Sequence, residues 1–167
     1  MERLSGLQVY QDYLVAGTRS RFFRRREGRM MTFTPYGDLE ACVKALDYRR
    51  LGKQRVEAYQ IWRTLVGLSS GWKNHPAVKM WEGYTCFLAI YCNACIDEWV
   101  ARGYKNNMKK LPHCGKPHPP WWWGREDVTK SHQASLNRKD PKYYHFDVSQ
   151  DEYPEYVWPT KISLLKI

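Results

Sequence analysis

The longest run of regularly spaced apolar side chains lies between residues 76 and 102. Pro76, which follows Asn74-His75, is typical of the first turn of a helix, and Gly103 is typical of a helix end. Apolar residues recur between these limits at three- or four-residue spacing, which places them on one helical face. They are Val78, Trp81, Tyr84, Leu88, Tyr91, Cys95 and Trp99. Such a face must be covered by other elements, so we predict one long, central, buried helix.

A second helical region precedes this element. Asp38 is a favourable N-cap, and apolar residues at helical spacing continue from Leu39 to Leu65, ending before Gly67. Gly52 lies inside this stretch. Because glycine weakens a helix by about 1 kcal/mol relative to alanine, we expect a bend or break there.

The last third of the chain is predicted to contain little regular structure. Residues 104–130 are rich in Pro, Gly and Trp, which indicates an ordered but irregular segment. A short helix is expected over residues 131–139, with Ser131 as its cap, and residues 143–159 are expected to run extended over the surface. The predicted fold class is therefore mainly α, a single compact helical domain with a long aromatic, Pro-rich irregular segment.

Residues 1–30 differ in composition and are assigned to a basic N-terminal extension. They carry seven Arg and no Lys, and three of the Arg are consecutive, at positions 24–26. Two interpretations stay open: a disordered, solvated tail or a segment added by an upstream start, and a basic arm that lies along a phosphate backbone. Because Met30-Met31 offers an internal start, residues 31–167 are predicted to form the domain proper.

Charge and aromatic content favour a polyanionic partner. The formal charge is +10, the pI is near 9.4 and aromatic residues make up 15% of the chain. Cations neutralise phosphates and flat rings accept unstacked bases, although a merely soluble basic protein would look similar.

No apolar run reaches the roughly 20 residues of a membrane span, and five cysteines cannot all pair. We therefore expect a monomer in a reducing cytoplasm, without a membrane partner or cofactor.

Glu57 is the main candidate catalytic residue. On a helix it shares a face with Lys53, four residues before it, and with Arg50, seven before it. A surface salt-bridge ladder is the commoner fate of such charges. The alternative is a carboxylate in a cationic cleft, which could act as general acid or base, or stabilise a cationic sugar.

The remaining candidates are basic and aromatic residues expected to contact nucleic acid. His132 follows a capping Ser131 and is interpreted as a groove residue, since no neighbour in the sequence forms a nucleophile–base pair with it. Three consecutive tryptophans, 121–123, cannot all face inward, so some should reach a surface. The predicted binding residues are Arg50, Arg55, His132, Arg138, Lys139, Lys142, Tyr143, Tyr144 and Trp122.

A zinc site is the alternative use of the cysteines. Cys92 and Cys95 form a Cys-x-x-Cys pair, and His113-Cys114 follows downstream. The pair lies within an apolar helical pattern, however, and Cys86, Cys92 and Cys95 occupy positions typical of the core. No metal is therefore predicted.

Several motifs resemble the pyrimidine-dimer DNA glycosylases of the phage endonuclease V type, and in particular a bacterial and phage branch of that family. They are Thr32–Tyr36, Leu46–Ala58, Gly71–Val78, Met80–Tyr84, Glu98–Lys105, Pro120–Trp122, Ser131–His132 and Arg138–Tyr144. The resemblance implies a compact all-α enzyme in a bacterial or phage-infected cytoplasm, which removes a damaged or modified pyrimidine from double-stranded DNA.

In that family the α-amine of an N-terminal residue attacks the sugar, a Schiff base forms, a helix carboxylate assists, and β-elimination nicks the strand. The resemblance implies that Glu57 is this carboxylate. In the printed chain Thr32 is internal, whereas a start at Met31 followed by removal of that Met would free the α-amine of Thr32. For the longer chain, Lys53 is the substitute amine.

The competing hypothesis is a non-catalytic module that uses the same groove to recognise modified or distorted DNA. The enzyme hypothesis makes a structural demand that the module does not. Glu57 must be shielded from bulk solvent and must lie beside a candidate nitrogen, since both groups have to reach one sugar.

Overall fold

The computed structural model describes residues 30–159, and within that range it contains five helices and no strand. The helices are α1 Leu39–Ala45, α2 Tyr48–Leu65, α3 Pro76–Lys79, α4 Thr85–Ala101 and α5 Glu126–Lys139. The predicted mainly α fold is confirmed. The extension assigned to residues 1–30 lies, apart from Met30, outside the described residues. None of the five helices is long and apolar enough to cross a membrane.

The predicted central helix is two helices rather than one. α3 ends at Lys79 and α4 begins at Thr85, and between them Gly83 adopts a φ of +85°. Glycine readily adopts this left-handed conformation, which a continuous helix does not allow. The apolar spacing therefore runs across a turn between two helices. α4 is nevertheless deeply buried, because it packs against both α1 and α2.

The helix break expected at Gly52 lies instead at Leu46–Asp47, between α1 and α2. The Arg102 guanidinium stabilises this break, since it donates to the Leu46 carbonyl at 2.6 Å and to the Lys44 carbonyl at 3.1 Å. These carbonyls lie at the end of α1, where a helix leaves its acceptors unpaired.

Gly52 remains helical because a tryptophan packs directly against it. A Cβ atom at position 52 would lie 2.9 Å from Cζ3 of Trp99. The glycine therefore permits close approach of α4 to α2, and the intrinsic weakness of glycine in a helix is overridden by tertiary packing.

α5 begins at Glu126, five residues before the predicted start. Glu126 and Asp127 lie in its first turn, and Arg138 and Lys139 in its last, an arrangement that complements the helix dipole. Ser131 is thus not a cap. Its hydroxyl donates to the Val128 carbonyl at 2.9 Å, within the same helix.

The tryptophan block divides between the core and the surface. Trp122 is fully buried, and its indole N–H donates to the Met80 carbonyl at 2.8 Å. Trp121 and Trp123 are half-buried. The expectation that some rings face inward and some reach the surface is confirmed, with Trp122 as the inward one.

Cys86 does not lie in the core as predicted, because it forms a disulfide with Cys114 across a sequence separation of 28 residues. The bond ties the start of α4 to the irregular segment before α5. Cys42, Cys92 and Cys95 are free and buried. Burial raises the pKa of the Cys42 and Cys92 thiols to about 12, so they are inert at neutral pH.

Candidate active site

Residues 31–35 run through the core in a non-helical conformation. Side chains of the helices, rather than a neighbouring strand, form hydrogen bonds with the backbone of this segment. The amide of Gln54 bonds both sides of this segment: its Oε1 accepts from the Phe33 N–H at 2.9 Å and its Nε2 donates to the Met31 carbonyl at 2.7 Å. The Tyr91 hydroxyl donates to the Phe33 carbonyl at 2.8 Å. The segment is thereby held against α2 and α4.

Two further bonds hold the segment downstream of Met31. The indole N–H of Trp81 donates to Thr32 Oγ1 at 2.9 Å, and the Thr34 N–H donates to His132 Nδ1 at 2.9 Å. Both threonines are fully buried. The position of Thr32 thus depends on contacts that Met31 does not make.

The carboxylate of Glu57 contacts three nitrogens. Its Oε2 accepts from the Met31 N–H at 3.3 Å and from Gln54 Nε2 at 3.2 Å, while its Oε1 lies 3.0 Å from Lys53 Nζ. The Glu57 side chain is 10% exposed and that of Lys53 is 47% exposed. The ion pair therefore lies at the boundary between core and solvent, with the carboxylate on the inner side and the ammonium on the outer side.

Burial raises the pKa of Glu57 above its ordinary value of 4.5. The charge and hydrogen bond of Lys53, the Met31 N–H and the charge of Lys139 act in the opposite direction and moderate the rise. A shielded carboxylate beside cations can stabilise a positive charge on a sugar or exchange a proton with it.

Thr32 lies one residue beyond the nitrogen that contacts Glu57. In the continuous chain that nitrogen belongs to Met31, and the Thr32 nitrogen is in a peptide bond. Consecutive Cα atoms are about 3.8 Å apart, so an amine at Thr32 would lie within about one residue's length of the carboxylate site.

A basic and aromatic rim adjoins the start of α2. Arg50 donates to Asp47 Oδ1 at 3.2 Å and to the Lys139 carbonyl at 3.4 Å, and its guanidinium lies 5.9 Å from the Tyr144 ring centre. The Tyr144 hydroxyl in turn accepts from the Asp47 N–H at 2.7 Å. These contacts hold the end of α5 against α2.

The turn that follows α5, residues 141–143, exposes two more of the predicted binding residues, Lys142 and Tyr143. Lys142 is exposed, and Tyr143 exposes 51% of its surface. Tyr144, next to it, is buried at 4% exposed and packs in T-shaped contact with the Tyr143 ring. Tyr144 thus supports the rim, and Tyr143 presents its ring to solvent.

Other sequence-predicted binding residues lie elsewhere. Trp122 and His132 are fully buried, so neither can touch a bound duplex in this conformation. Burial also lowers the pKa of His132 to about 3, so the ring is neutral and carries no charge for a phosphate. Arg138 bonds the tail through the Tyr153 carbonyl at 2.8 Å, and Arg55 packs against Trp99 at 4.2 Å on another side of α2.

Gln54 and Tyr91 are residues of the site that sequence reasoning missed. Gln54 is fully buried on α2 between the core positions Leu51 and Ala58. A glutamine on an apolar face is the available signal, since a buried amide must have partners. That signal does not say which backbone segment the partners belong to.

The cysteines and histidines form no metal centre within residues 30–159, where no three metal-binding side chains of the His, Cys, Asp or Glu type are grouped. Cys114, one member of the suggested zinc set, is in the disulfide.

A helical domain that shields one carboxylate among three nitrogens, next to basic and aromatic side chains, has the parts of a base-removing DNA enzyme. Residues 30–112 match the family described as pyrimidine dimer DNA glycosylase, and the chain belongs to that family. The match spans α1 to α4 and includes Thr32, Lys53 and Glu57, and it confirms the family resemblance. It follows that the chain is a DNA repair glycosylase, with DNA as its substrate. Searches of curated proteins and of solved structures gave no significant match.

Proposed function

We propose that the protein excises damaged or modified pyrimidines from double-stranded DNA and then nicks the strand as an AP lyase. The nucleophile is the α-amine of Thr32. This amine is free in a chain that starts at Met31 and from which Met31 is then removed. The supporting observation is that the Glu57 carboxylate is shielded and accepts the main-chain N–H one residue before Thr32, at 3.3 Å.

The chemistry requires an unprotonated amine at the sugar. The nitrogen lone pair forms a bond to C1′, while the base leaves with the electron pair of the glycosidic bond and takes up one of the two amine protons. The C1′–O4′ bond then breaks, the second amine proton passes to the ring oxygen, and an imine links the protein to C1′. Removal of a proton from C2′ then expels the 3′-phosphate. An ionised Glu57 stabilises the positive charge that develops on the sugar.

Thr32 suits this step better than Lys53. An α-amine has a reference pKa near 8, so about a tenth of it is unprotonated at neutral pH. In the structure, moreover, Lys53 Nζ already lies 3.0 Å from Glu57 Oε1, so this nitrogen is held by the carboxylate. Lys53 stays the alternative nucleophile for a chain that retains residues before Thr32.

Loss of Met30 and Met31 would remove two buried side chains and leave the position of Thr32 supported. Met31 is 1% exposed and Met30 is 5% exposed. In a chain that begins at Thr32, the contacts of Trp81 with Thr32 and of Gln54 with Phe33 are retained.

DNA would lie across the surface formed by the start of α2 and the end of α5. Lys53, Lys139, Lys142 and Arg50 provide the phosphate contacts, and Tyr143 provides an exposed ring. Base removal requires that the target nucleotide leave the stack, and that opening costs least at a distorted lesion. Damaged duplex is therefore the proposed substrate.

The experiment compares two starts of the same chain on ultraviolet-irradiated duplex. The Met31-start protein, checked by intact mass for an N-terminal Thr32, should be trapped on the DNA by borohydride and should nick it. The Met1-start protein, in which Thr32 is internal, is the matched control and should form no Thr32 adduct. Peptide mapping of the adduct then assigns the nitrogen, and Lys53→Arg removes the other amine while keeping the charge.

Absence of both adduct and nick with the processed Met31-start protein would reject the lyase proposal. A non-catalytic DNA-binding module is then the second candidate, and one observation favours it for the printed chain: the nitrogen of Thr32 is in a peptide bond. Glu57→Gln separates the two, since an enzyme loses turnover and keeps affinity, whereas a binder tolerates loss of that charge or binds DNA more tightly.

A further inference from the structure

Three aromatic rings make successive tilted contacts on the side of α2 opposite Glu57. The Trp99 and Tyr104 rings are 4.4 Å apart with an interplanar angle of 31°, and the Tyr104 and Tyr48 rings are 6.1 Å apart at 32°. Tyr104 is 39% exposed and Tyr48 is 49% exposed. We refer to Tyr48, Trp99 and Tyr104 as the ring platform.

The inner end of the ring platform is held in place by several contacts. The Trp99 indole N–H donates to the Lys105 carbonyl at 2.9 Å, and the absence of a side chain at Gly52 lets the ring lie against α2. The Arg55 guanidinium lies 4.2 Å from the Trp99 ring centre, and Asn106 accepts from it. The outer rings, Tyr104 and Tyr48, therefore rest on a preorganised base.

Helix geometry places the ring platform near the proposed active site. From Tyr48 to Glu57 α2 makes about two and a half turns, so the two residues lie on opposite flanks of the helix, about 13 Å apart along its axis. The exposed Arg49 and Lys53 lie on the solvent side between these flanks. One nucleic acid that crosses this side of α2 can reach both the ring platform and the proposed active site.

Arg49 and Lys105 give the surroundings of the ring platform a positive charge. Lys105 is exposed next to Tyr104, and the Arg49 Nε–H donates to the Tyr48 hydroxyl at 3.0 Å. Exposed rings beside cations are the combination that binds unpaired nucleotides, with the rings stacking on bases and the cations neutralising phosphates. An apolar protein partner would be less well matched to these charges.

We propose that the ring platform is a second nucleic-acid site, which stacks an unpaired base of the DNA strand bound across α2. The base comes from the strand that flanks the lesion. The inference relies on the proposed function only in taking DNA as the ligand. It involves no covalent step and does not require the amine of Thr32.

The test measures binding of a short single-stranded oligonucleotide that contains 2-aminopurine, with anisotropy for affinity and fluorescence quenching for stacking. Tyr48→Ala and Tyr104→Ala should each weaken binding by about 5- to 100-fold and reduce quenching, as expected for loss of one stacked base. Tyr48→Phe keeps the ring and should stay within about twofold of the wild type, on the same stacking argument.

Trp121→Ala is the matched control. Trp121 is also a half-buried ring with a guanidinium near it, that of Arg125 at 5.1 Å, but it lies before the N-terminal end of α5 and is not one of the three rings of the ring platform. Its removal should leave oligonucleotide binding unchanged. Equal loss in this variant and in the tyrosine variants would indicate a nonspecific effect and would overturn the proposal.

Wild-type affinity and full quenching in both tyrosine-to-alanine variants would likewise overturn it. Because Tyr48 and Tyr104 are exposed, their truncation leaves no sealed cavity, and unchanged thermal unfolding would establish that the variants are folded. The oligonucleotide carries no lesion, so its binding is measured even where borohydride trapping fails. Conversely, a failed stacking test leaves the trapping result on damaged duplex intact.

Discussion

Lys53 Nζ lies 3.0 Å from Glu57 Oε1, with the lysine half exposed and the glutamate almost buried. The charge and hydrogen bond of Lys53 lower a Glu57 pKa that burial has raised. Lys53→Met should therefore raise the pKa of Glu57 further, while Lys53→Arg should leave it nearly unchanged. Carbon-13 NMR of the glutamate carboxyls, with Glu57→Gln to assign the resonance, measures this. A Glu57 pKa lower in Lys53→Met than in the wild type would contradict the geometry.

Glu57→Gln should lower activity strongly without destabilising the fold. Removing a positioned acid–base group typically costs about 10²- to 10⁴-fold in rate. The glutamine keeps an oxygen for the Met31 N–H, and it avoids the burial that disfavours the ionised carboxylate. We expect an equal or higher free energy of unfolding at pH 7, measured in urea.

The pH dependence of that difference follows from the raised pKa of Glu57. Between the unfolded-state pKa of about 4.5 and the higher folded-state pKa, the native state binds more protons, so wild-type stability falls as pH rises through this window. The advantage of Glu57→Gln should therefore grow from acid to neutral pH. An advantage that is largest below pH 4.5 would be evidence against the buried carboxylate.

His132 should make the protein sensitive to mild acid. Burial lowers its pKa from 6.5 to about 3, so between these values the unfolded state binds the proton and the native state does not. Wild-type stability should then fall by about 2 to 3 kcal/mol from this residue between pH 7 and pH 4.5. His132→Asn keeps an acceptor for the Thr34 N–H and should show a shallower slope in urea titrations. Parallel slopes for the two proteins would refute this assignment.

Gly52→Ala tests the close approach of α4 to α2. Alanine in a helix interior is ordinarily favoured over glycine by about 1 kcal/mol. Here the new Cβ would lie 2.9 Å from Trp99, so we expect destabilisation by about 1 to 3 kcal/mol instead. Gly115→Ala, where the Cβ would meet nothing within 4 Å, is the control for the substitution itself. Thermal unfolding of both variants measures the difference, and a stabilised Gly52→Ala would show that Trp99 moves freely.

Apolar spacing and capping predicted the helical regions because both signals act within a few turns of the chain. Leu88, Tyr91 and Cys95 are buried on α4 as their spacing indicated. The break in the middle of the predicted central helix was missed because Gly83 was not recognised as a left-handed residue. A glycine ends a helix or continues it according to its surroundings, which short-range spacing does not contain.

The features that were not predictable depend on contacts between distant parts of the chain. Gly52 stays helical because Trp99, 47 positions later, packs on it, and Cys86 leaves the core pattern because Cys114 lies near it. At the candidate site the pairing of Glu57 with Lys53 followed from helical spacing. The threading of residues 31–35 past Gln54 did not, since side-chain bonds to an irregular segment leave no period in the sequence.

Reduction of the Cys86–Cys114 disulfide should lower stability and expose two thiols. The bond closes a loop across 28 residues, for which chain entropy gives about 3 to 4 kcal/mol of stabilisation. The folded, oxidised protein should react with no thiol reagent, because Cys42, Cys92 and Cys95 are buried and burial raises their pKa values. After mild reduction two thiols should react, and in denaturant all five. The Cys86→Ser, Cys114→Ser double variant should unfold at lower urea and show no further loss with reductant, whereas a wild type indifferent to reductant would rule out the bond.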